Sequence, residues 1–301
     1  MGRDASLIAM DASAKIEVSE LLRFARLAAP FLQRDAARGL GPRAARNRPG
    51  PGLEFLDLRY YEPGDDIRHI DWRQSARRQR HVVRRFRDET AADWFICADC
   101  SASVRLGGHK WPMTVRLASA LAYALLYAGN RVALLLFSDR IDGFCHLGRG
   151  AHQFSELLDL LLRQEIERSK SASRTHLGHC RDYLTQDSNV FVISDFLEPD
   201  GMRKDLRSIR AAVASANALQ VLAKDEMRIP ATGITRLEDA ESGRSKPFMM
   251  TDQLQERAQS NLEAHCHSLR RNCAALDIRF ATCNAGDRWE QVLLAHLNAR
   301  R

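Results

Sequence analysis

The chain has no long hydrophobic run. Its apolar stretches, such as Val132–Phe137, are strand-length, far short of the ~20 residues that a membrane-spanning helix needs. Met1–Ala14 carries Asp4 and Asp11 and has no apolar core of the signal-peptide kind. Membrane insertion and Sec export are therefore not expected, and the expected location is the cytoplasm. Cysteine is sparse and odd in number: the seven stand at 97, 100, 145, 180, 266, 273 and 283 of 301 residues. That excludes a dense disulfide framework and fits reduced thiols. Phosphate-cradling signatures are missing as well. No Gly-x-Gly-x-x-Gly follows a strand-like run, and no Gly-x-x-x-x-Gly-Lys occurs. Serine occupies position 101, where an Asp-x-Asp phosphotransferase would want a carboxylate, and there is no Gly-x-Ser-x-Gly elbow. Internal repeats and low-complexity tracts are absent too.

What is present is an ordinary globular composition, 45% hydrophobic and 28% charged, with 45 Lys and Arg against 38 Asp and Glu. The net charge of +7 is mildly basic. Ile16, Leu21, Leu22, Phe24, Ala25, Leu27 and Ala28 fall at helical spacing, and Pro30 is expected to interrupt or end that helix. Residues 36–52 are rich in Gly, Pro and Arg without apolar period and read as a mobile basic loop. Leu53–Tyr61 reads as extended, Glu62–Asp66 as a Pro-Gly turn, Ile70–Arg77 as a helical turn capped by Asp71, and His81–Phe86 as a second strand. This N-terminal region, 1–90, is expected to form an appendage, with Trp72 buried where it packs.

From residue 91 the pattern changes. Trp94–Ala98, Arg131–Phe137, Asn189–Ile193 and Ala218–Ala223 are short, nearly continuous apolar runs. They alternate with helical stretches at 110–128, 152–166, 175–184, 199–215, 251–276 and 287–300. Asp142–Leu147 reads as an edge strand and Ile278–Ala281 as the last one. Strands apolar on both faces, alternating with helices, imply an α/β fold with a mostly parallel sheet covered on both sides. Residues 224–249 break the alternation with two Gly and two Pro and read as a hairpin insertion within the 91–301 domain.

In open α/β sheets ligands bind at the carboxyl ends of strands. Those ends carry Asp99-x-Ser101-x-Ser103 and Ser194-Asp195, with Thr175 heading a later helix. Alternate residues of an extended turn point the same way, so one carboxylate and two hydroxyls converge, and Asp195 on another strand can face them. An all-oxygen set with few charges suits a hard cation, Mg²⁺ or Mn²⁺, that retains waters and an open position. The same residues also suit a plainer role, with Ser101 and Ser103 capping one helix and Asp195 starting another.

Asp99-x-Ser101-x-Ser103 with Ser194-Asp195 resembles the metal-ion-dependent adhesion site of von Willebrand factor type A domains. The run Tyr60-Tyr61-Glu62-Pro63-Gly64-Asp65-Asp66-Ile67-Arg68-His69-Ile70-Asp71-Trp72 resembles the signature of domain-of-unknown-function family 58. Leu237-Glu238-Asp239-Ala240-Glu241-Ser242-Gly243 is similar to that family's late motif. The resemblance covers roughly residues 50–285. It implies a von Willebrand A-like domain and partnership with a MoxR-type AAA+ ATPase. It also implies metal ligation by Asp99, Ser101, Ser103 and Asp195, with Thr175 as the threonine ligand and Ser171 and Ser173 as its rivals. Val104 departs from the family's usual Met and removes no ligand. Many members carry N-terminal membrane helices, and this sequence resembles the subset without them.

Arg73, Arg77, Arg78, Arg80, Arg84, Arg85 and Arg87 stand in a stretch with no Asp or Glu. Such a cluster can neutralise phosphates, or pair with Asp65, Asp66, Asp71, Asp88 and Glu89, or form a protein-docking face. The aromatic interleaving for nucleic acid is thin, with Trp72 and Phe86 only, and nucleic acid is not expected as a partner. Cys97-x-x-Cys100 sits in a strand rather than at a helix N-terminus, which favours packing over redox work. His265-Cys266-His267 with Cys273 and Cys283 lacks paired zinc spacing, and Asp65-Asp66 suits local backbone bonding better than catalysis. The expected function is a non-enzymatic adaptor that captures an acidic client through its metal ion, together with the ATPase. The alternatives are a metal-dependent hydrolase, disfavoured because no general base stands beside the serines, and a nucleic-acid-binding module through residues 73–87.

Overall fold

The alternating apolar runs become strands of one sheet in a computed structural model that describes residues 17–39, 49–62, 67–87, 91–105, 109–166, 175–198, 202–227, 233–238 and 244–299. In chain order the elements are α1 (Val18–Gly39), β1 (Pro49–Tyr60), α2 (Trp72–Arg78), β2 (Val82–Arg87), β3 (Asp93–Asp99), α3 (Ala102–Arg105), α4 (Lys110–Tyr127), β4 (Arg131–Phe137), β5 (Ile141–Gly148) and α5 (Gly150–Ile166). They continue with β6 (Asn189–Ser194), α6 (Met202–Ala212), β7 (Ser215–Leu222), α7 (Lys224–Met227), β8 (Gly233–Glu238), β9 (Ser245–Met250), α8 (Asp252–Ala275), β10 (Ile278–Asn284) and α9 (Trp289–Asn298). Short 3-10 helices lie at Ile67–His69 and Leu177–Tyr183. The second replaces the α-helix expected at 175–184.

Six strands pair in the order β10-β7-β6-β3-β4-β5. All neighbours are parallel except β5, which returns antiparallel along the edge of β4. The central strands β6 and β7 are buried along their whole length, because helices cover both faces. Alternate residues of β3 serve opposite cores. Trp94, Ile96 and Ala98 join the side chains of α1, α4 and α9, whereas Phe95 and Cys97 join those of α6 and α8. Trp94 stacks on Phe191 with ring centroids 5.2 Å apart. Each large side chain fully withdrawn from water contributes about 1.5–3 kcal/mol, so this doubly covered sheet is a rigid frame for whatever its strand ends carry.

The N-terminal helix departs from expectation in two ways. It runs through Pro30 to Gly39, because Pro30 is on the exposed side while Leu21, Phe24, Ala25, Ala28 and Leu32 are locked into the core. It also packs with the sheet rather than with the residues that follow it. The chain divides into one compact unit of Met1–Gly39 with Ala92–Arg301 and a second of Leu40–Ala91. The smaller unit ends at Ala91, and the helix α1 that precedes it in sequence belongs to the larger unit.

In the smaller unit β1 and β2 pair antiparallel, with β1 beginning at Pro49, inside the stretch read as a loop. Asp71 caps α2, accepting from the Gln74 amide at 3.0 Å, and its other oxygen takes Arg84 Nε at 2.9 Å. Those hydrogen bonds hold its carboxyl below the usual range. Trp72, expected to be buried, is 66% exposed. The inward positions of this short helix go to the capping Asp71 and to Ser75, whose Oγ accepts from the Val82 amide, so the indole is left outside, edge-on to His81 at 5.9 Å. The Pro63-Gly64-Asp65-Asp66 turn, Asp88, Glu89 and the Asp239–Gly243 motif lie outside the described residues. So do Ser171, Ser173 and most of the basic stretch between 40 and 48. β8 and β9 form an antiparallel hairpin in the stretch read as an insertion. Among the described residues no helix is long and apolar enough to cross a membrane.

Candidate functional site

The strand order reverses between β3 and β6: the chain steps from β3 outward to β4 and β5, then returns to build β6, β7 and β10 on the other side. Such a switch point opens a crevice at the carboxyl ends of the two strands. Asp99 ends β3 and Asp195 follows β6, so the crevice is bounded by two carboxylates.

Asp99 is fully buried. Its Oδ1 accepts from the Ser101 amide at 2.9 Å, which folds the turn after β3 back over the strand end. Its Oδ2 accepts from Ser194 Oγ at 2.6 Å and lies 3.2 Å from Thr175 Oγ1. Thr175 Oγ1 is also 3.0 Å from Ser101 Oγ, and Ser101 Oγ is 3.1 Å from Ser103 Oγ. One carboxylate and four hydroxyls thus form a single chain of hydrogen bonds. Thr175 reaches it because the next residue, His176, donates its amide to the Ser138 carbonyl beyond β4 at 2.8 Å. The 3-10 helix that follows is fixed to α6 by the Gly178 amide on Asp205 at 3.0 Å. A Cβ at position 178 would come within 3.1 Å of the Asp205 carboxylate, so any larger residue there would push on this contact.

Asp195 is equally buried but is held differently. Its Oδ1 accepts from the Leu197 amide at 3.3 Å, and its Oδ2 meets Lys110 Nζ at 2.8 Å. Lys110, the first residue of α4, is itself buried and makes a second ion pair with Glu226 of α7. Burial alone lowers an ammonium's pKa, but the Asp195 and Glu226 charges outweigh it and hold Lys110 raised. The Gln220 side chain of β7 donates to the Asp195 carbonyl at 3.0 Å. The next residue, Phe196, has φ +51, a backbone strained for a bulky side chain. It is kept there by its amide on Ser194 Oγ at 3.0 Å and its carbonyl against His265 Nε2 at 2.7 Å.

Among the described residues no cationic side chain forms an ion pair with Asp99. Burial, then the nearby charge of Asp195, pushes its carboxyl up to about 6 against the opposing hydrogen bonds of Ser101 and Ser194. A buried carboxylate surrounded by hydroxyl oxygens is what a hard cation takes as a partner. On donor chemistry the residues therefore fit Mg²⁺ or Mn²⁺, with Asp99, Ser101, Ser103 and Thr175 gathered and Asp195 beside them on its own lysine. Among the described residues no group of three or more His, Cys, Asp or Glu comes together, so the cysteine- and histidine-rich parts of the sequence offer no rival centre. All seven cysteines are free. Cys97 and Cys100 are buried, and burial and the Asp142 charge push the Cys100 thiol well above its usual value.

Two members of this site, Lys110 and Glu226, are not singled out by the sequence, and Ser194 enters there only within the Ser194-Asp195 pair. Lys110 and Glu226 carried one faint signal each, a lysine heading an otherwise apolar helix and an acid just after a strand.

Uncharacterized proteins of Mycobacterium tuberculosis and Mycobacterium bovis are 29% identical to this chain over 216 residues, 69% of its length and 67% of theirs. Among solved structures it is similar to a conserved hypothetical protein BatB from Bacteroides thetaiotaomicron, at 12% identity and a TM-score of 0.41, covering 69% of this chain and 97% of that one. It is also similar to an aerotolerance-related membrane protein from Bacteroides fragilis, at 16% identity and a TM-score of 0.36, covering 56% and 87%. The family model described as "Protein of unknown function DUF58" matches residues 57–268, well over half of the chain, which therefore belongs to that family.

Proposed function

We propose that this chain is a non-enzymatic, metal-dependent interaction module: a von Willebrand A-like domain whose adhesion site takes Mg²⁺ or Mn²⁺ and captures an acidic side chain of a client protein. The observation that carries this reading is the hydrogen-bonded set of Asp99, Ser101, Ser103 and Thr175 at the β3/β6 switch point. Asp99 and the three hydroxyls would hold the ion, and Asp195 would stand by as the second carboxylate. A bound divalent ion supplies Lewis-acid attraction for an incoming carboxylate. The chain's own residues orient that attraction, since Ser194 and the Ser101 amide fix the Asp99 carboxylate and the His176 amide fixes the Thr175 loop. With so few charged donors an ion keeps waters to exchange, which suits capture of a partner group.

The partner proposed from family resemblance is a MoxR-type AAA+ ATPase acting with this module on the client, in a complex formed in the cytoplasm. Exposed Arg73, Arg77, Arg78 and Arg80 add long-range attraction for an acidic surface. Isothermal titration of the purified pair tests the reading. Binding is expected in Mg²⁺ and should weaken in EDTA or with Asp99→Ala. Binding indifferent to both would remove the metal site from the contact.

A further inference from the structure

Lys110 is a lysine where a lysine is costly. Its side chain is 3% exposed, and a buried ammonium persists only when paired. It is paired twice, to Asp195 at 2.8 Å and to Glu226. Asp195 is 1% exposed, whereas Glu226 is 29% exposed. The ammonium therefore joins a carboxylate of the candidate metal site to one that reaches solvent on the short helix after β7. Glu226 is anchored in turn, accepting from the Ala223 amide at 2.8 Å through its other oxygen.

The charges set up a competition. The Asp195 charge is felt at Asp99, and Lys110 is the ammonium that stands between Asp195 and Glu226. A divalent ion held by Asp99 would feel the negative field of Asp195, and Lys110 would cancel much of that field. Glu226 acts in the opposite sense by drawing the ammonium towards itself and restoring charge to Asp195.

We propose that Lys110 and Glu226 set the cation affinity of the site, Lys110 as a resident ammonium competing for the Asp195 carboxylate and Glu226 as the counter-charge that relieves the competition. This rests on the metal reading above. It also makes the affinity of the site depend on where α7 holds Glu226, and so on whatever occupies the solvent-facing side of that helix. Neither residue is a metal ligand; both act through Asp195.

The two residues predict changes of opposite sign. At the effective dielectric of a partly buried site, one charge a few ångströms away changes the affinity for a divalent ion on the order of tenfold or more. Glu226→Gln keeps an oxygen for the Ala223 amide and removes the charge, so it should weaken Mn²⁺ binding about tenfold. Lys110→Met should tighten it by a similar factor. A plain structural role for the triad gives a different pattern, in which both variants weaken binding together.

The experiment is isothermal titration of Mn²⁺ into the wild type, Glu226→Gln, Lys110→Met and Asp99→Ala, each checked for folding by circular dichroism in EDTA. Opposite shifts support the proposal, as does a Lys110→Met that binds Mn²⁺ where the wild type does not. A wild type that binds with Glu226→Gln unchanged, or with both variants weakened alike, overturns it and leaves the metal reading standing. If neither the wild type nor Lys110→Met binds, the metal reading falls and this proposal with it. If Lys110→Met does not fold, the direction of the Glu226→Gln shift decides.

Discussion

His296 shows how far burial bends a single residue. It sits on α9 with its Nε2 3.3 Å from Asn217 Oδ1 and its Nδ1 buried without a hydrogen-bond partner among the described residues. Burial, helped by the Arg279 charge, pushes its pKa down to about 3. The folded protein therefore keeps it neutral, while the unfolded chain protonates it near 6.5. A depressed pKa of this kind means that its contribution is fully present above about 6.5 and is lost as pH falls from there towards 3. Between pH 7.5 and pH 5 the wild type should lose more thermal stability than His296→Gln does; parallel losses in thermal melts would show that the site ionises without cost. Trp72 makes the reverse case. With two thirds of its surface in water it contributes little to folding, so Trp72→Ala should shift stability by less than about 1 kcal/mol in a denaturant titration. A loss of several kcal/mol would restore the burial that the sequence suggested.

The elements that sequence periodicity describes well are those whose environment is uniform. Trp94–Ala98 and Val132–Phe137 are apolar throughout because both faces are covered, and their strands run within a residue or two of the expected limits. The Thr175 segment departs from the helix its pattern suggests because its shape is set from outside, by Ser138 and Asp205. α1 outruns its expected end for the opposite reason. Pro30 argues for a break, yet the apolar stripe on either side of it is buried against α4 and α9, and that packing outweighs the lost hydrogen bond. Pro30→Ala should accordingly raise the melting temperature, by an amount corresponding to about 1–3 kcal/mol. A fall would mean that Leu32 reaches the core only through the bend that proline imposes.

At the scale of the molecule, the site is an assembly of distant parts. Asp99-x-Ser101-x-Ser103 and Ser194-Asp195 were legible because each is local, and the rule of strand ends and switch points placed them together. Lys110 was not legible, since its partners lie 85 and 116 residues away and a lone lysine ahead of an apolar helix looks like a surface residue. The same physical logic connects the two: a rigid doubly covered sheet can bury charge at its ends, and buried charge requires a partner. Asp195 has one within the chain, and under the proposed reading Asp99 would take one from outside. Thermal unfolding of the wild type and of Asp99→Asn, with and without millimolar Mg²⁺ at pH 7.5, tests this most directly. The asparagine keeps the volume and hydrogen-bonding reach of the side chain and removes its charge. The wild type should gain several degrees on adding Mg²⁺ while Asp99→Asn gains none, and an equal response from the two proteins would contradict metal binding at this site.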